Sequence, residues 1–316
     1  MAYFLKFKTV IVMKNLFVFG IVLISLLSLS MPSQAQIGEL GYNPLSIRAD
    51  EELRYIYGQP IYEADVMYRT TLWRKINLKE KQNLPFFSQG NEITALIIRG
   101  VREGKITPYD FDGGPSSDGV SNPIELEDFE KKIEIDDPDI GVVPAKPREM
   151  SVLEIREDLI FDKRRSRMYY DIQTVTVFIE AAAFTDGGSL AFDRPVATFK
   201  FSDLYRYFKE IYDQSQYEDR TDDTGRTVAR GGTAQAVRGH WVNPYNPRRH
   251  MSLADAFELR LFSSRIVKVI NPEDKNLVEI ISDEYPDAPD KARRVLELSQ
   301  QYEYDLMEYE HNLWEF

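Results

Sequence analysis

Apolar residues recur along this chain with two different periods, and the change from one to the other outlines its elements. In "NEITALIIRGVREGKI", Ile93, Leu96, Ile97 and Val101 fall at i, i+3, i+4 and i+8, one face of a helix that Gly104 is placed to end. The period shortens to two further on. "SVLEIREDLIF" and "SRMYYDIQTVTVFIEA" are β-rich runs joined by the polar turn "DKRR", which predicts a long hairpin over about 151–180. Val175, Val177 and Ile179 alternate with Thr174, Thr176 and Phe178, so this strand is expected to be covered on both sides near its end.

Weaker signals fill in the rest. A strand at Thr71–Ile76 is expected to precede a short helix with Asn77 as cap, Glu80 in capping-box spacing and Pro85 as stop. "IELEDFEKKI" predicts another short helix, and "PVATFKF" a strand leading into the helix "SDLYRYFKEIYDQ" with Ser202 as its cap. "RIVKVI" predicts a strand, followed by an Asn-Pro turn and a paired strand "NLVEII". From about Pro289 a long helix carries Val295, Tyr302, Tyr309 and Leu313, with Leu298 and Leu306 between them, as an apolar stripe. The fold class is therefore α+β: N-terminal helices, a central antiparallel sheet built on the 151–180 hairpin, and a long C-terminal helix.

The stretches without periodicity set the expected domain organisation. Residues 1–35 have the form of a secretory signal: Lys6, Lys8 and Lys14 precede the run "LFVFGIVLISLLSLS", and "SQA" offers cleavage before Gln36. Met13 also opens a complete signal, and the run Leu16–Leu29 is shorter than the ~20 residues that span a bilayer. An extended arm is expected at 36–64, a mostly helical subdomain at 65–135, a Pro- and Asp-rich linker or arm at 136–149, and an α+β domain at 150–316. Within that domain, 214–239 contains almost no large apolar residue and is expected to be an exposed loop.

Composition narrows the partners. Without residues 1–35 the chain holds 36 basic and 51 acidic residues, a formal charge of −15, which opposes binding to nucleic acid or to anionic lipid. The chain has no cysteine, so it forms no disulfide and lacks the residue by which a lipoprotein is anchored. Membrane contact is expected only through partners.

Candidate chemistry is sparse. "GVREGKI" has three residues between its glycines where a phosphate loop needs four, and Ile106 stands where that loop needs a hydroxyl. The carboxylates of "DFDGG" and "DRTDDTG" do not follow the alternating ligand order of a calcium loop. His240, His250 and His311 form no spaced ligand pair, and no G-x-S-x-G elbow is present. No catalytic, cofactor or metal residue is expected. "NPRRHMSLADAFELRLFSSRI" is the densest stretch: Ser252 is expected to cap a helix starting at Leu253, with Asp255 answering the cap and Leu253, Phe257 and Leu261 on one face. Arg248 and Arg249 precede that cap, where they would hold an anion or face a partner.

Several stretches in linear order carry a resemblance: "DVMYRTTLWRKINLKEKQNLPFF", "EIREDLIFDKRRSRMYYDI", "VNPYNPRRHMSLADAFELRLFSSRI" and "EYEHNLWEF". Their most specific pieces are Trp73-Arg74 with Leu78, Glu80, Lys81, Asn83 and Pro85; Phe161-Asp162; Asn243-Pro244; Phe257 with Phe262-Ser263-Ser264; and Glu310 with Leu313-Trp314-Glu315. Together they resemble the GldN/PorN family of periplasmic gliding-motility and type IX secretion proteins, from about residue 60 to the C-terminus. The resemblance implies a non-enzymatic ring component that self-associates, assembles with a GldK/PorK-like outer-membrane lipoprotein and contacts a GldM/PorM-like inner-membrane motor protein. Within its motifs, Trp73, Arg74, Arg248, Arg249 and Trp314 are the candidate interaction residues. The competing reading is a periplasmic glycan-binding module using an aromatic face, which a cleft lined by Trp or Tyr would favour.

Overall fold

The computed structural model describes residues 61–111, 119–137, 141–181, 193–218, 239–246 and 250–313. The expected signal at 1–35 lies outside the described residues, as do most of the expected arm at 36–64 and residues 219–238 of the expected loop.

The hairpin is the frame of the molecule. Strand β1 (Val66–Asn77) comes first, then helices α1 (Ile93–Arg102) and α2 (Leu126–Ile133) and the short strands β2 (Glu134–Asp137) and β3 (Gly141–Pro144). The hairpin follows as β4 (Val152–Asp162) and β5 (Arg167–Ile179), and β6 (Arg194–Lys200) continues directly into α3 (Phe201–Glu218). The short pair β7 (His240–Trp241) and β8 (Met251–Ser252) leads into α4 (Leu253–Glu258). Strand β9 (Arg265–Val269) and helices α5 (Leu277–Glu284) and α6 (Lys291–Leu313) close the chain. Five strands form one antiparallel sheet in the order β6-β5-β4-β1-β9, so the expected α+β architecture with a long C-terminal helix is the observed one.

Strand β1 sits between β4 and β9, so residues 65–135 contribute an interior strand to the sheet of the expected second domain. The linker expected at 136–149 is instead tied down. Asp136 and Asp137 pair with Val142 and Gly141 in the β2–β3 ladder, Ala145 N donates to Ile133 O at 3.0 Å, and Ala145 is buried in the main core together with Ile135 and Met150, which flank the stretch on either side. Anchored at Ala145 and at both ends, an otherwise Pro- and Asp-rich stretch is ordered.

Other local expectations shift for identifiable reasons. After β1, residues 78–83 form turns and Leu84–Phe86 a single 3₁₀ turn in place of the expected short helix. Asn83 is fully buried there, and its side chain is committed to the distant Ser263 rather than to a helix surface. "NLVEII" forms the helix α5, not a strand: Asn276 and Glu279 build a reciprocal capping box, and Leu277 and Ile281 bury one face. Helix α3 begins at Phe201, one residue before the expected cap Ser202.

Burial divides into two regions along β4. Its alternate residues Leu153, Ile155, Glu157, Leu159 and Phe161 point to one side of the strand. Leu153 and Ile155 join the main core with Leu96 and Ile97 of α1, Phe129 of α2, Phe201, Tyr205 and Phe208 of α3, and Phe257 of α4. Leu159 and Phe161 lie outside that cluster, as do the buried Leu72, Ile266, Leu277 and Ile281. Glu157 stands between the two regions with no exposed surface.

Candidate functional site

The candidate interaction residue Arg74 is not on the surface. Its guanidinium is buried, donating from Nε to Glu157 Oε1 at 2.7 Å and from Nη1 to Glu303 Oε1 at 2.9 Å. Arg260, just after α4, donates through both terminal nitrogens to the same Glu157 carboxylate and lies 4.2 Å above the centre of the Tyr170 ring. One carboxylate thus serves two guanidiniums, and Glu303 of α6 balances the second. Burial raises the Tyr170 phenol above its ordinary value, against the opposing pull of Arg74 and Arg260. This network pins α6, the sheet and the end of α4 to one another.

The backbone that presents Arg260 is specialised. Leu261 N donates to Ala256 O and Arg260 N to Phe257 O, both at 2.9 Å, which is a Schellman ending with Arg260 at the left-handed position, φ 52°. Helix α1 ends in the same way with Gly104, φ 70°, at the equivalent position. A side chain is retained at the α4 ending because its charge is used.

The other motif residues make similar joints. Asn83 donates to Asn77 O and Ser263 O and accepts from Ser263 N at 2.7 Å, clamping the segment after β1 to the "FSS" stretch. Phe86, Phe257 and Phe262 meet as a triangle of rings 5.1 to 6.4 Å apart. Asp162 accepts from Arg164 N and Arg165 N and pairs with Arg165 Nη1, closing the β4–β5 turn. Trp73 has Lys268 Nζ at 4.7 Å and Arg156 at 5.7 Å from its ring centre. Trp241 is buried and packs edge-on to Phe86.

Residues 243–246, ahead of "RRH", are held by Asn243. Asn243 Oδ1 accepts from Tyr245 N at 3.0 Å and Asn246 N at 3.1 Å, and Asn243 N donates to His250 Nδ1 at 3.2 Å. Tyr245 is 93% exposed at its tip. Ser252 caps α4 as expected, accepting from Ala254 N at 3.2 Å. Asp255 does not answer that cap; it pairs with Lys209 Nζ at 2.7 Å and accepts from Tyr205 OH, joining α4 to α3. Arg248, Arg249 and Trp314 lie outside the described residues, so no geometry unites the five candidate interaction residues.

"GVREGKI" is the end of α1: Lys105 N donates to Gly100 O at 3.0 Å and Gly104 N to Val101 O at 2.9 Å. Gly100 is needed for packing, since a Cβ there would lie 2.4 Å from Ile106 Cδ1 and 2.8 Å from Tyr207 Cε1. Among the described residues, no group of three or more potential ligands gathers around a metal-sized site, and no helix is long and apolar enough to cross a membrane.

Helix α6 holds the one feature that periodicity showed only in half. The expected stripe Val295, Leu298, Tyr302, Leu306 and Leu313 is half-buried against the body, and Tyr309 stacks on Tyr68 at 4.6 Å. Leu296, Tyr304 and Met307 face the other way, 40%, 60% and 61% exposed. With Gln300 and His311 they recur at spacings of four, four, three and four, a second stripe that no single hydrophobic period would separate from the first.

Comparison with known proteins follows the motifs. The family model described as "Gliding motility associated protein GldN" matches residues 61–315. No match was found among curated proteins. Since the match spans most of the chain and contains every joint described above, the protein belongs to the GldN family of gliding motility associated proteins.

Proposed function

We propose that this chain is a non-enzymatic structural component of the type IX secretion and gliding apparatus. In this reading it is exported to the periplasm and builds a ring with an outer-membrane lipoprotein of the GldK/PorK kind. It also links that ring to the periplasmic part of a GldM/PorM-like inner-membrane motor. The observation that carries the reading is the use of the motif residues. Arg74, Asn83, Asp162, Phe257, Phe262 and Ser263 tie strands, turns and helices to one another. Such joints maintain a fixed shape, which is what an assembly subunit supplies.

The acidic charge supports contact with the membrane through partners rather than directly. The placement of Trp73 between two cations and of Trp241 inside the core takes two of the three tryptophans away from a glycan platform.

The test is gentle detergent extraction of the native envelope, pull-down through a tag on this chain, and mass spectrometry with electron microscopy of the particle. The expected result is a large ring containing this chain and a lipoprotein. A chain that migrates alone, with no lipoprotein partner, overturns the reading.

A further inference from the structure

We propose that the outward stripe of α6 is a docking site for a cationic amphipathic helix of another protein. This goes beyond the ring reading and rests on it only in supposing that the chain has partners.

A helix packed on a protein body turns polar residues outward, and α6 sets its expected stripe half-buried against the body, with Tyr309 of that stripe 41% exposed beside Tyr68. Yet Leu296, Tyr304 and Met307 stand outward, each at least 40% exposed. At 1.5 Å per residue the stripe from Leu296 to Met307 is about 16 Å long, and at 100° per residue it is about 80° wide including Gln300 and His311. A narrow seam with spacings of three and four is the shape into which another helix sets its ridges. It offers no backbone groups for a strand to pair with.

The margins specify the charge. From Glu297 to Leu313 the helix has five acids and no lysine or arginine. Glu297, Asp305 and Glu308 fall on one side of the seam, Glu303 and Glu310 on the other. Glu297 is paired with Arg293 and Glu303 with Arg74, whereas Asp305 accepts from the neutral Gln301. An apolar seam between acidic margins complements apolar anchors flanked by lysine or arginine. A second copy laid against it on a two-fold axis would bring the same acids together, in a chain of net charge −12. An anionic lipid surface meets the same repulsion.

The probe is a labelled synthetic helix of 18 residues with leucines at the complementary three-four spacing and lysines flanking them, titrated into the purified full chain and followed by anisotropy. Controls are the same peptide with glutamates for lysines, the variant L296Q/Y304Q/M307Q, and the variant D305K/E308K. All five positions are exposed, so thermal melts of both variants should match the parent. The lysine peptide should bind the parent and lose about tenfold to a hundredfold in affinity on either variant, in keeping with the loss of central anchors or of charge complementarity. The charge-reversed variant should in turn bind the glutamate peptide. Unchanged affinity on the glutamine variant, or no binding to the parent, overturns the proposal. So does concentration-dependent self-association in sedimentation that the glutamine variant abolishes, which would assign the seam to a second copy. Because the titration uses the isolated chain, its failure is distinguishable from failure to find a ring with a lipoprotein.

Discussion

The two halves of β4 bury the same side of one strand in opposite ways. Around Leu153 and Ile155 the surroundings are apolar and aromatic, with Phe86, Phe257 and Phe262 in mutual contact and Phe201 beside Phe257. Beyond them Glu157 stands in the same row, held by Arg74 and Arg260. The aromatic half is sensitive to lost volume, and the ionic joint at Glu157 to a charge left without its partner. Burial by itself therefore does not say what a position requires.

The largest effects should come from breaking each half in its own currency. Phe257→Ala removes a fully enclosed ring from the triangle and should cost about 3–5 kcal/mol. Glu157→Ala leaves two guanidiniums without their shared carboxylate and should cost a similar ~3–5 kcal/mol, although the side chain removed is smaller. Urea melts of the two variants make the comparison. A loss below about 1 kcal/mol for Glu157→Ala would show that the network is dispensable.

A replacement of the whole cluster sharpens the point. In R74M/E157L/R260M every buried charge of the network is exchanged for apolar volume, leaving Glu303, which is 39% exposed, to solvent. Since apolar replacement of a buried ion network is often neutral or better, the triple variant should be more stable than Glu157→Ala alone, within about 2 kcal/mol of the parent. A triple variant less stable than the single one would mean that the charges fix the seating of α6 in a way volume cannot replace.

This contrast also explains what the sequence revealed. Periodicity located the hairpin, α1, the Ser252 cap and the long last helix, because each is a local pattern of side-chain size or a local cap. The resemblance makes Arg74 a candidate interaction residue, because a lone arginine in a strand looks the same whether its partner is solvent or a glutamate 83 residues away. The outward seam of α6 is hidden for the reverse reason: Leu296 and Met307 fall outside the one apolar stripe that periodicity picks out, and a second apolar side stands apart only once the body beneath the helix is known. The α5 capping box, Asn276 with Glu279, is a local signal too, but the β-branched run that it opens reads as a strand.

Intermediate effects test how backbone serves the ionic half. Arg260→Gly relaxes a left-handed residue by about 1 kcal/mol but removes one of the two partners of Glu157, so a net loss of about 1–2 kcal/mol is expected. Ala at Gly104, where no charge compensates the left-handed backbone, should cost about 1 kcal/mol with no other consequence. Ser252→Ala and Asn276→Ala each remove one cap and should cost about 1 kcal/mol. Thermal melts of the four single variants order them; a stabilised Arg260→Gly would mean that Arg74 alone satisfies Glu157.

The smallest effect separates two glutamates three residues apart on β4. Burial raises the Glu154 carboxyl above its ordinary range, and Lys75 and Lys268 only partly oppose it. A raised carboxyl means that the folded chain binds its proton more tightly than the unfolded chain does, so stability falls as pH rises from the unfolded value through the folded one. Glu154→Gln keeps the shape and removes the charge. It should match the parent at pH 3, where both side chains are neutral, and become the more stable of the two as the pH climbs past the raised value. Glu157→Gln should lose stability, because the charge is what Arg74 and Arg260 bind. Melting temperatures of parent and both variants between pH 3 and pH 8 give the result. If Glu154→Gln loses stability at neutral pH, the pull of Lys75 and Lys268 exceeds the cost of burial, and Glu154 belongs with Glu157 as a paired charge.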